Sequence, residues 1–324
     1  TRRVGFHLTD RCQLDCDHCL RDPGKAALDL PFERFCAALD HGLWLGARHA
    51  SLTGGEPTLH PEFPALLDEI SHREMTWDMV TNGRRFSRVA TWLDEAPARH
   101  ASCRVVTFSL DGATDATHDA IRGVGQRREV LQAMAQCVAL AIPFETSTAI
   151  HARNAHELEA LAHEAHALGA GAVRFAMTQP TGTPIDRELH LAPDEWRALL
   201  QRIERLAEDG LPVTLAEGGH ETSMDSVDRS GETLFTWTFT DTHALLLHSG
   251  LPQEGPDETD AGDVLDFQVT LRRLEAIQQR AIEADRLERS TPGDPWGDFG
   301  CNRCLRRFGR PSWGEGGRRG PEAR

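Results

Sequence analysis

The alternation of strand-like and helix-like segments over residues 4–208 most restricts the fold of this chain. Short β-branched and apolar runs are each followed by a segment whose apolar residues have helical spacing. Six such units predict a parallel sheet with helices outside it, and right-handed crossovers curl that sheet toward a barrel. We therefore predict an α/β fold, a partial (β/α)6 TIM-like barrel. The predicted strands are residues 4–9, 49–53, 75–81, 105–110, 144–151 and 172–178. The first predicted helix begins at residue 31, and the other five span residues 61–72, 87–95, 128–141, 155–168 and 193–208.

The pattern changes beyond residue 210. Segments 233–240 and 244–248 are typical of two strands joined as a hairpin, and residues 269–287 have the apolar spacing of a long amphipathic helix. The region after residue 313 is rich in Gly and Arg, which predicts disorder. The predicted organisation is a core barrel over residues 1–210, a smaller α+β C-terminal cap over 211–312 and a disordered tail over 313–324.

Composition excludes several classes of function. The chain has 324 residues and a formal net charge of −15, which argues against a wide nucleic-acid interface. No apolar run reaches the ~20 residues needed to span a bilayer. The first residues lack the apolar segment of a signal peptide. The eight cysteines do not suggest a secreted disulfide scaffold in a chain of this length. These observations predict a cytoplasmic protein that binds neither nucleic acid nor membrane.

Three cysteines lie close together directly after the first predicted strand. Cys12, Cys16 and Cys19 are separated by three and then two residues. Cysteine thiolates are the usual ligands of iron–sulfur clusters, and three of them leave one iron of a [4Fe–4S] cluster open to a small molecule. A zinc site is the alternative, with His18 as the fourth ligand. Spacing favours the cluster, because His18 lies between two of the cysteines and joint ligation by all four would be cramped.

A glycine pair followed by a carboxylate comes directly after the second predicted strand. Gly54 and Gly55 allow the backbone to approach a ligand closely, and Glu56 places a carboxylate at the same edge of the sheet. Taken alone, this segment is more often a turn. It lies one strand after the loop that carries Cys12, Cys16 and Cys19, called the cysteine loop below, and this position favours a ligand-binding role over a simple turn.

Together these motifs resemble the signature of the radical S-adenosylmethionine (radical SAM) superfamily. The resemblance implies that Cys12, Cys16 and Cys19 hold a [4Fe–4S] cluster whose open iron binds SAM. It also implies that the Gly-Gly-Glu segment holds the SAM amino group. Further matches are 80–83, 109–112, 118–123 and 180–182. By the same resemblance, the other residues expected to contact SAM are Asn82, Ser109, Arg122, Thr148 and Asn154.

Two of these assignments have structural alternatives. A guanidinium suits the SAM carboxylate because it can bond both oxygens, but Arg122 could equally form a surface ion pair with Asp119 or Asp115. Asp111 could cap the helix that follows it.

The resemblance is closest to members with a cysteine-rich C-terminal extension, the SPASM/twitch type. This chain departs from them, because its extension retains only Cys301 and Cys304. Two thiols cannot satisfy an ordinary four-cysteine cluster. The pair is therefore expected to be metal-free, to donate hydrogen to a substrate radical, or to hold a second metal together with a histidine. The candidate histidines are His220, His243 and His248, while Cys36, Cys103 and Cys137 are expected to be small buried apolar residues.

The implied activity is reductive cleavage of SAM, after which the 5′-deoxyadenosyl radical abstracts hydrogen from a peptide or protein substrate. An external reductant of the flavodoxin or ferredoxin type is implied as well. The alternative is an epimerase or dehydrogenase that tailors a small natural product. A rival of another class is a non-catalytic iron–sulfur or metal-binding protein, or a partner-docking protein, that keeps the fold. The oligomeric state is not indicated by the sequence.

Overall fold

The computed structural model describes residues 2–19, 28–44, 46–177, 189, 191, 193–216, 236–239 and 244–246. The strands in this part of the chain are β1 (Arg2–His7), β2 (Ala47–Thr53), β3 (Thr76–Thr81), β4 (Cys103–Ser109), β5 (Phe144–Ile150), β6 (Val173–Met177), β7 (Val213–Ala216), β8 (Thr236–Phe239) and β9 (Ala244–Leu246). The helices are α1 (Phe32–Trp44), α2 (Phe63–His72), α3 (Ser87–Asp94), α4 (Pro97–Ser102), α5 (Asp115–Arg122), α6 (Gln126–Ala139), α7 (Leu158–Ala167) and α8 (Pro193–Glu208), with 3-10 turns at Pro57–Leu59 and Ala155–Glu157.

The described strands form one sheet in the order β7-β6-β5-β4-β3-β2-β1-β8-β9. Every neighbouring pair is parallel except the hairpin β8–β9. The carboxyl ends of the parallel strands therefore meet at one edge, which is where such sheets carry their functional loops. Across the described part of the chain, each helix is too short or too polar to cross a bilayer.

The α/β fold with a parallel sheet confirms the sequence prediction. All six predicted strands are present, and both strands of the predicted hairpin exist. β7 and the short helices α4 and α5 were not predicted. Each of the two helices has at most one large apolar residue, so neither shows an apolar stripe. The predicted helix over 269–287 and the tail lie outside the described residues, and the domain boundary at residue 210 stays a prediction, although β7 continues the sheet beyond it.

The two faces of the sheet differ in character. One face carries alternate apolar side chains that pack against the helices, as Phe6 does on Phe35 of α1 with ring centroids 4.4 Å apart. The opposite face carries polar side chains that bond across strands. Glu145 accepts hydrogen bonds from Thr107 on β4 and from Arg174 on β6, at 2.8 and 2.9 Å. The helices thus cover one side, and the other side of the sheet remains polar.

The apolar face accounts for much of the stability. Phe108 of β4 is fully buried and contacts the rings of Phe86 and Phe144, with centroids 5.1 and 6.0 Å away. Replacing Phe108 with Ala should lower the free energy of unfolding by about 3–5 kcal/mol, because a cavity is left in a close-packed core. Urea denaturation followed by circular dichroism measures this loss.

Val124→Ala is the control, since Val124 is fully exposed. It should change the free energy of unfolding by no more than about 0.5 kcal/mol. Equal losses in the two variants would mean that Phe108 does not lie in the core.

Candidate functional site

The three cysteines lie on the loop that follows β1. Cys16 is buried, and Cys12 and Cys19 are partly buried. Burial raises the pKa of Cys16 to about 11, the charge of Arg122 opposes the rise, and the other two thiols add to it. The three thiols are therefore close enough to influence one another. Metal binding would have to displace the proton from Cys16, which couples cluster assembly to deprotonation.

The geometry of the thiols bears on what they could hold. Among the residues that the structure describes, no three His, Cys, Asp or Glu side chains converge tightly enough to hold a single metal ion. In a [4Fe–4S] cluster each thiolate binds a different iron, so the sulfur atoms stand apart around the cluster. Three neighbouring thiols on one loop suit that chemistry.

The first half of the cysteine loop is attached to the end of β3. Asn82 follows β3 directly, and its side chain accepts a hydrogen bond from Gln13 Nε2 at 3.2 Å. Its amide nitrogen lies 3.9 Å from the Sγ atom of Cys12 and donates to it. Gln126 of α6 donates to the backbone oxygen of Asn82 at 2.7 Å, which fixes the turn. Asn82, predicted to contact SAM, thus touches the cysteine loop itself.

The second half of the loop is attached to the end of β4. His18 Nε2 donates to Asp111 Oδ2 at 2.6 Å, and Arg122 Nε donates to the same oxygen at 2.5 Å. Burial raises the pKa of Asp111, but the charges of Arg122 and His18 outweigh this and hold the pKa well below its usual range. Asp111 is therefore an ionised carboxylate inside the protein.

The two glycines bring the backbone after β2 against the start of the cysteine loop. Gly55 N donates to Thr9 O at 2.6 Å, and Glu56 N donates to Arg11 O at 2.7 Å. A Cβ atom on Gly54 would lie 2.5 Å from Thr9 O, and one on Gly55 would lie 2.4 Å from Arg11 O. Real Cβ atoms essentially never come so close to backbone, so only glycine fits at either position.

Glu56 is buried and ties together two strand ends. Its Oε1 accepts hydrogen bonds from the Thr58 hydroxyl at 2.7 Å, the Thr81 hydroxyl at 2.8 Å and the Thr58 backbone N–H at 3.3 Å. Its Oε2 accepts from Asn82 N at 2.8 Å. Burial raises the pKa of Glu56, and the four hydrogen bonds oppose the rise. Oε2 has a second lone pair and can accept one further hydrogen bond.

The remaining predicted SAM contacts lie at the same edge of the sheet. Ser109 ends β4 and is buried. Thr148 of β5 is also buried and donates to Leu110 O at 2.6 Å. Asn154 is wholly engaged with backbone: it donates to Asp111 O and Ala149 O and accepts from His151 N. The hydroxyl of Thr148 and the amide of Asn154 thus connect β4 to β5.

The structure bears on two structural alternatives from the sequence. The Arg122 side chain is 10% exposed, and its guanidinium bonds to the buried Asp111, a partner that the sequence did not indicate. Asp111 does not cap α5, because Thr114 does so by accepting from Thr117 N at 3.2 Å.

Sequence reasoning missed the partner roles of Gln13, His18 and Asp111. These residues are polar and lie at or near the turns that follow strands, which is visible in the sequence. The sequence does not show which distant residues their side chains contact.

Of the other cysteines, Cys103 and Cys137 are buried, as expected, whereas Cys36 is only partly buried and donates to Glu69 at 3.7 Å. Cys301 and Cys304 lie outside the described residues, as do the candidate histidines His220, His243 and His248.

Residues 6–165 match the model of the Radical SAM superfamily, which includes the cysteine loop, the Gly-Gly-Glu segment and the ends of β3, β4 and β5. Residues 6–165 therefore form a Radical SAM domain.

Two similar proteins are named a maturase and a peptide cyclase. The chain is 32% identical over 195 residues to the mycofactocin maturase MftC of Mycobacterium tuberculosis, an alignment that covers 59% of this chain and 48% of that protein. It is 27% identical over 192 residues to the PqqA peptide cyclase of Methylorubrum populi, with 58% and 49% covered. The chain thus spans about half the length of the curated relatives it matches.

The structure of native anSMEcpe with bound AdoMet has the same fold. The TM-score is 0.68 at 16% sequence identity, and 96% of this chain and 92% of that chain are covered. The likeness therefore extends over nearly the full length of both chains.

The hydrogen bonds of Glu56 make it a structural residue whatever it binds. Glu56→Gln should lower the free energy of unfolding of the metal-free protein by about 1–3 kcal/mol, because the amide nitrogen must face one of the four donors. Urea denaturation of the apoprotein at neutral pH measures the change.

The control is Glu62→Gln, since Glu62 is exposed. It should alter the free energy of unfolding by at most about 0.5 kcal/mol. If Glu56→Gln proves equally harmless, the carboxylate does not hold the strand ends together.

Proposed function

We propose that this protein is a radical SAM enzyme that reductively cleaves SAM at a [4Fe–4S] cluster and abstracts hydrogen from a peptide or protein substrate. The observation that carries the proposal is the meeting of the Gly55–Glu56 backbone with the start of the cysteine loop at one edge of the sheet, where Gly55 N donates to Thr9 O at 2.6 Å and Glu56 N to Arg11 O at 2.7 Å. A SAM-bound [4Fe–4S] cluster supplies an electron that cleaves SAM to methionine and a 5′-deoxyadenosyl radical.

The residues of this chain have separable tasks in that proposal. Cys12, Cys16 and Cys19 hold the cluster. The partly buried backbone of Gly54 and Gly55, together with the second lone pair of Glu56 Oε2, is proposed to bind the ammonium group of SAM, which donates only. The same edge carries Asn82, Ser109, Arg122 and Thr148, which are proposed to line the remainder of the SAM pocket.

The protein's part in the chemistry is positioning. A hydrogen is abstracted only from the carbon held next to the radical, so the site must fix the substrate and exclude water. The polar face of the sheet, with its Glu145–Arg174 pair, offers fixed hydrogen-bonding groups of the kind that orient a polar substrate.

A peptide is the favoured substrate because of the relatives. One is named a mycofactocin maturase and the other a PqqA peptide cyclase. A small natural-product precursor, epimerised or dehydrogenated, is the second candidate. A non-catalytic binding protein is the third, and it predicts no SAM cleavage.

Three further points belong to the proposal. The electron comes from an external reductant of the flavodoxin or ferredoxin class, and the protein works in the cytoplasm. Cys301 and Cys304 either donate hydrogen to the substrate radical or hold a second metal. One cluster per chain is expected.

The anaerobically reconstituted protein should bind about four irons per chain and form 5′-deoxyadenosine from SAM when dithionite is added. Replacing Cys12, Cys16 and Cys19 together with Ala should abolish both, because the cluster loses all its protein ligands. Iron analysis and liquid chromatography of the nucleoside products give the two readings.

Cys36→Ala serves as the thiol control, since this cysteine lies on α1 away from the loop. It should retain the iron and the cleavage activity. Iron retained in the triple variant, or no 5′-deoxyadenosine from the wild type, would contradict the proposal.

The substrate class is tested by label transfer. A pool of short synthetic peptides carrying deuterium on carbon should pass deuterium into 5′-deoxyadenosine, because the radical takes its hydrogen from the substrate. An equimolar mixture of the same deuterated amino acids, uncoupled, is the matched control. Mass spectrometry of 5′-deoxyadenosine decides, and label arriving only from the free amino acids would favour the small-molecule alternative.

A further inference from the structure

Asp111 stands at the meeting point of three elements, two residues beyond the end of β4. It is completely buried. Its Oδ2 accepts from His18 of the cysteine loop at 2.6 Å and from Arg122 of α5 at 2.5 Å. Its Oδ1 accepts from the backbone N–H of Ala149 on β5 at 2.9 Å. One carboxylate therefore joins the loop, a helix and a strand.

The backbone of Asp111 is fixed as firmly as its side chain. Its N–H donates to Nδ1 of His118 at 3.0 Å, and its carbonyl accepts from the side chain of Asn154 at 3.0 Å. Because hydrogen bonds fix both the backbone and the carboxylate of Asp111, a side chain that bonds to this carboxylate is held at a fixed position relative to the sheet.

The second half of the cysteine loop lacks regular secondary structure and depends on such bonds. Cys19 N donates to Cys16 O at 3.0 Å, which closes a turn within the loop. The turn is tied to the rest of the protein by Asp17, whose N–H donates to Ile121 O at 3.0 Å, and by His18. Asp17 also accepts a charge-assisted bond from Arg153 at 2.8 Å, but the Arg153 side chain is 44% exposed. His18 bonds instead to a fully buried carboxylate, where a charge-assisted bond is little screened by water.

We propose that Asp111 is a positioning residue for the cluster, which holds the Cys16–Cys19 half of the cysteine loop in place through His18. The inference rests on the proposed function, because it presumes a cluster at these cysteines. Asp111 touches no cysteine in this scheme and acts through another residue. Its effect should therefore appear in how firmly the cluster is held, which can be measured apart from turnover.

The chain contains a matched control for this arrangement. Asp78 Oδ2 accepts from His49 Nε2 at 2.7 Å and lies 3.7 Å from a guanidinium nitrogen of Arg3. His49, Asp78 and Arg3 thus form a second group of a histidine, an aspartate and an arginine, here on three neighbouring strands. It lies near the amino ends of β2 and β3, away from the cysteine loop. The Asp78 side chain is 19% exposed, whereas Asp111 is completely buried.

The first experiment compares Asp111→Asn with Asp78→Asn in the anaerobically reconstituted holoprotein. An asparagine at 111 keeps the shape, but its single acceptor oxygen cannot serve both Ala149 on one side and His18 with Arg122 on the other. We expect Asp111→Asn to release iron to a ferrous chelator roughly tenfold faster than wild type, a difference of about 1.4 kcal/mol. Asp78→Asn should release iron within about twofold of wild type, even where both variants lower the melting temperature.

A second pair of variants tests the same contact in case Asp111→Asn misfolds. These variants change His18 on the loop and leave the buried carboxylate intact. His18→Leu removes the donor, whereas His18→Gln keeps an N–H donor at about the reach of Nε2. We expect His18→Leu to release iron as fast as Asp111→Asn and His18→Gln to stay close to wild type. The electron paramagnetic resonance signal of the reduced cluster should broaden in the two fast variants and not in the others.

The outcomes separate this inference from the proposed function. No cluster in the wild type contradicts the proposed function. A normal cluster in the wild type, with equal iron release from Asp111→Asn and Asp78→Asn or from His18→Leu and His18→Gln, overturns the positioning role and leaves the proposed function intact.

Discussion

Hydrogen bonds that pass from one strand end to the next hold the cysteine loop in place. The loop has no helix or strand of its own, and it carries three thiols that must stand in a fixed arrangement. Asn82, after β3, bonds to its first half, and Asp111, after β4, bonds to its second half. Glu56 in turn bonds to Asn82 N and Thr81, so the groups that hold the loop are themselves held.

Two buried carboxylates make this arrangement possible, and they do so in different ways. Asp111 faces an arginine and a histidine, which offset the cost of burying its charge. Glu56 has no cation among its bonding partners in the described part of the chain, and four N–H and O–H donors surround it instead. An uncompensated Glu56 carboxylate is the better acceptor for a cationic ligand, because its charge is solvated only by dipoles. This contrast agrees with the proposal that SAM places its ammonium group near Glu56.

Much of the fold could be predicted from the sequence, because long parallel strands and amphipathic helices have strong local periods. The six core strands were found within two residues, whereas the helices α4 and α5 have at most one large apolar residue each and so show no apolar stripe. The cysteine loop and the glycine pair were visible, since spacing and residue type identify them. The role of Asp111 was not visible. Its partners, His18 and Ala149, are separated from it by 93 and 38 residues, and no local rule connects them.

The position of β1 in the sheet has a consequence for the order in which the molecule can be completed. Among the described strands β1 comes first in sequence, yet it is flanked by β2 and by β8, whose residues 236–239 pair with residues 3–6. Closing so long a segment of chain is slow, because its entropy cost precedes the contacts that repay it. On the ribosome, β1 and β2 can pair early, while β8 cannot pair with the other edge of β1 until residues 236–239 have emerged. The strand that leads into the cysteine loop thus precedes the other described strands in synthesis and is among the last to be enclosed.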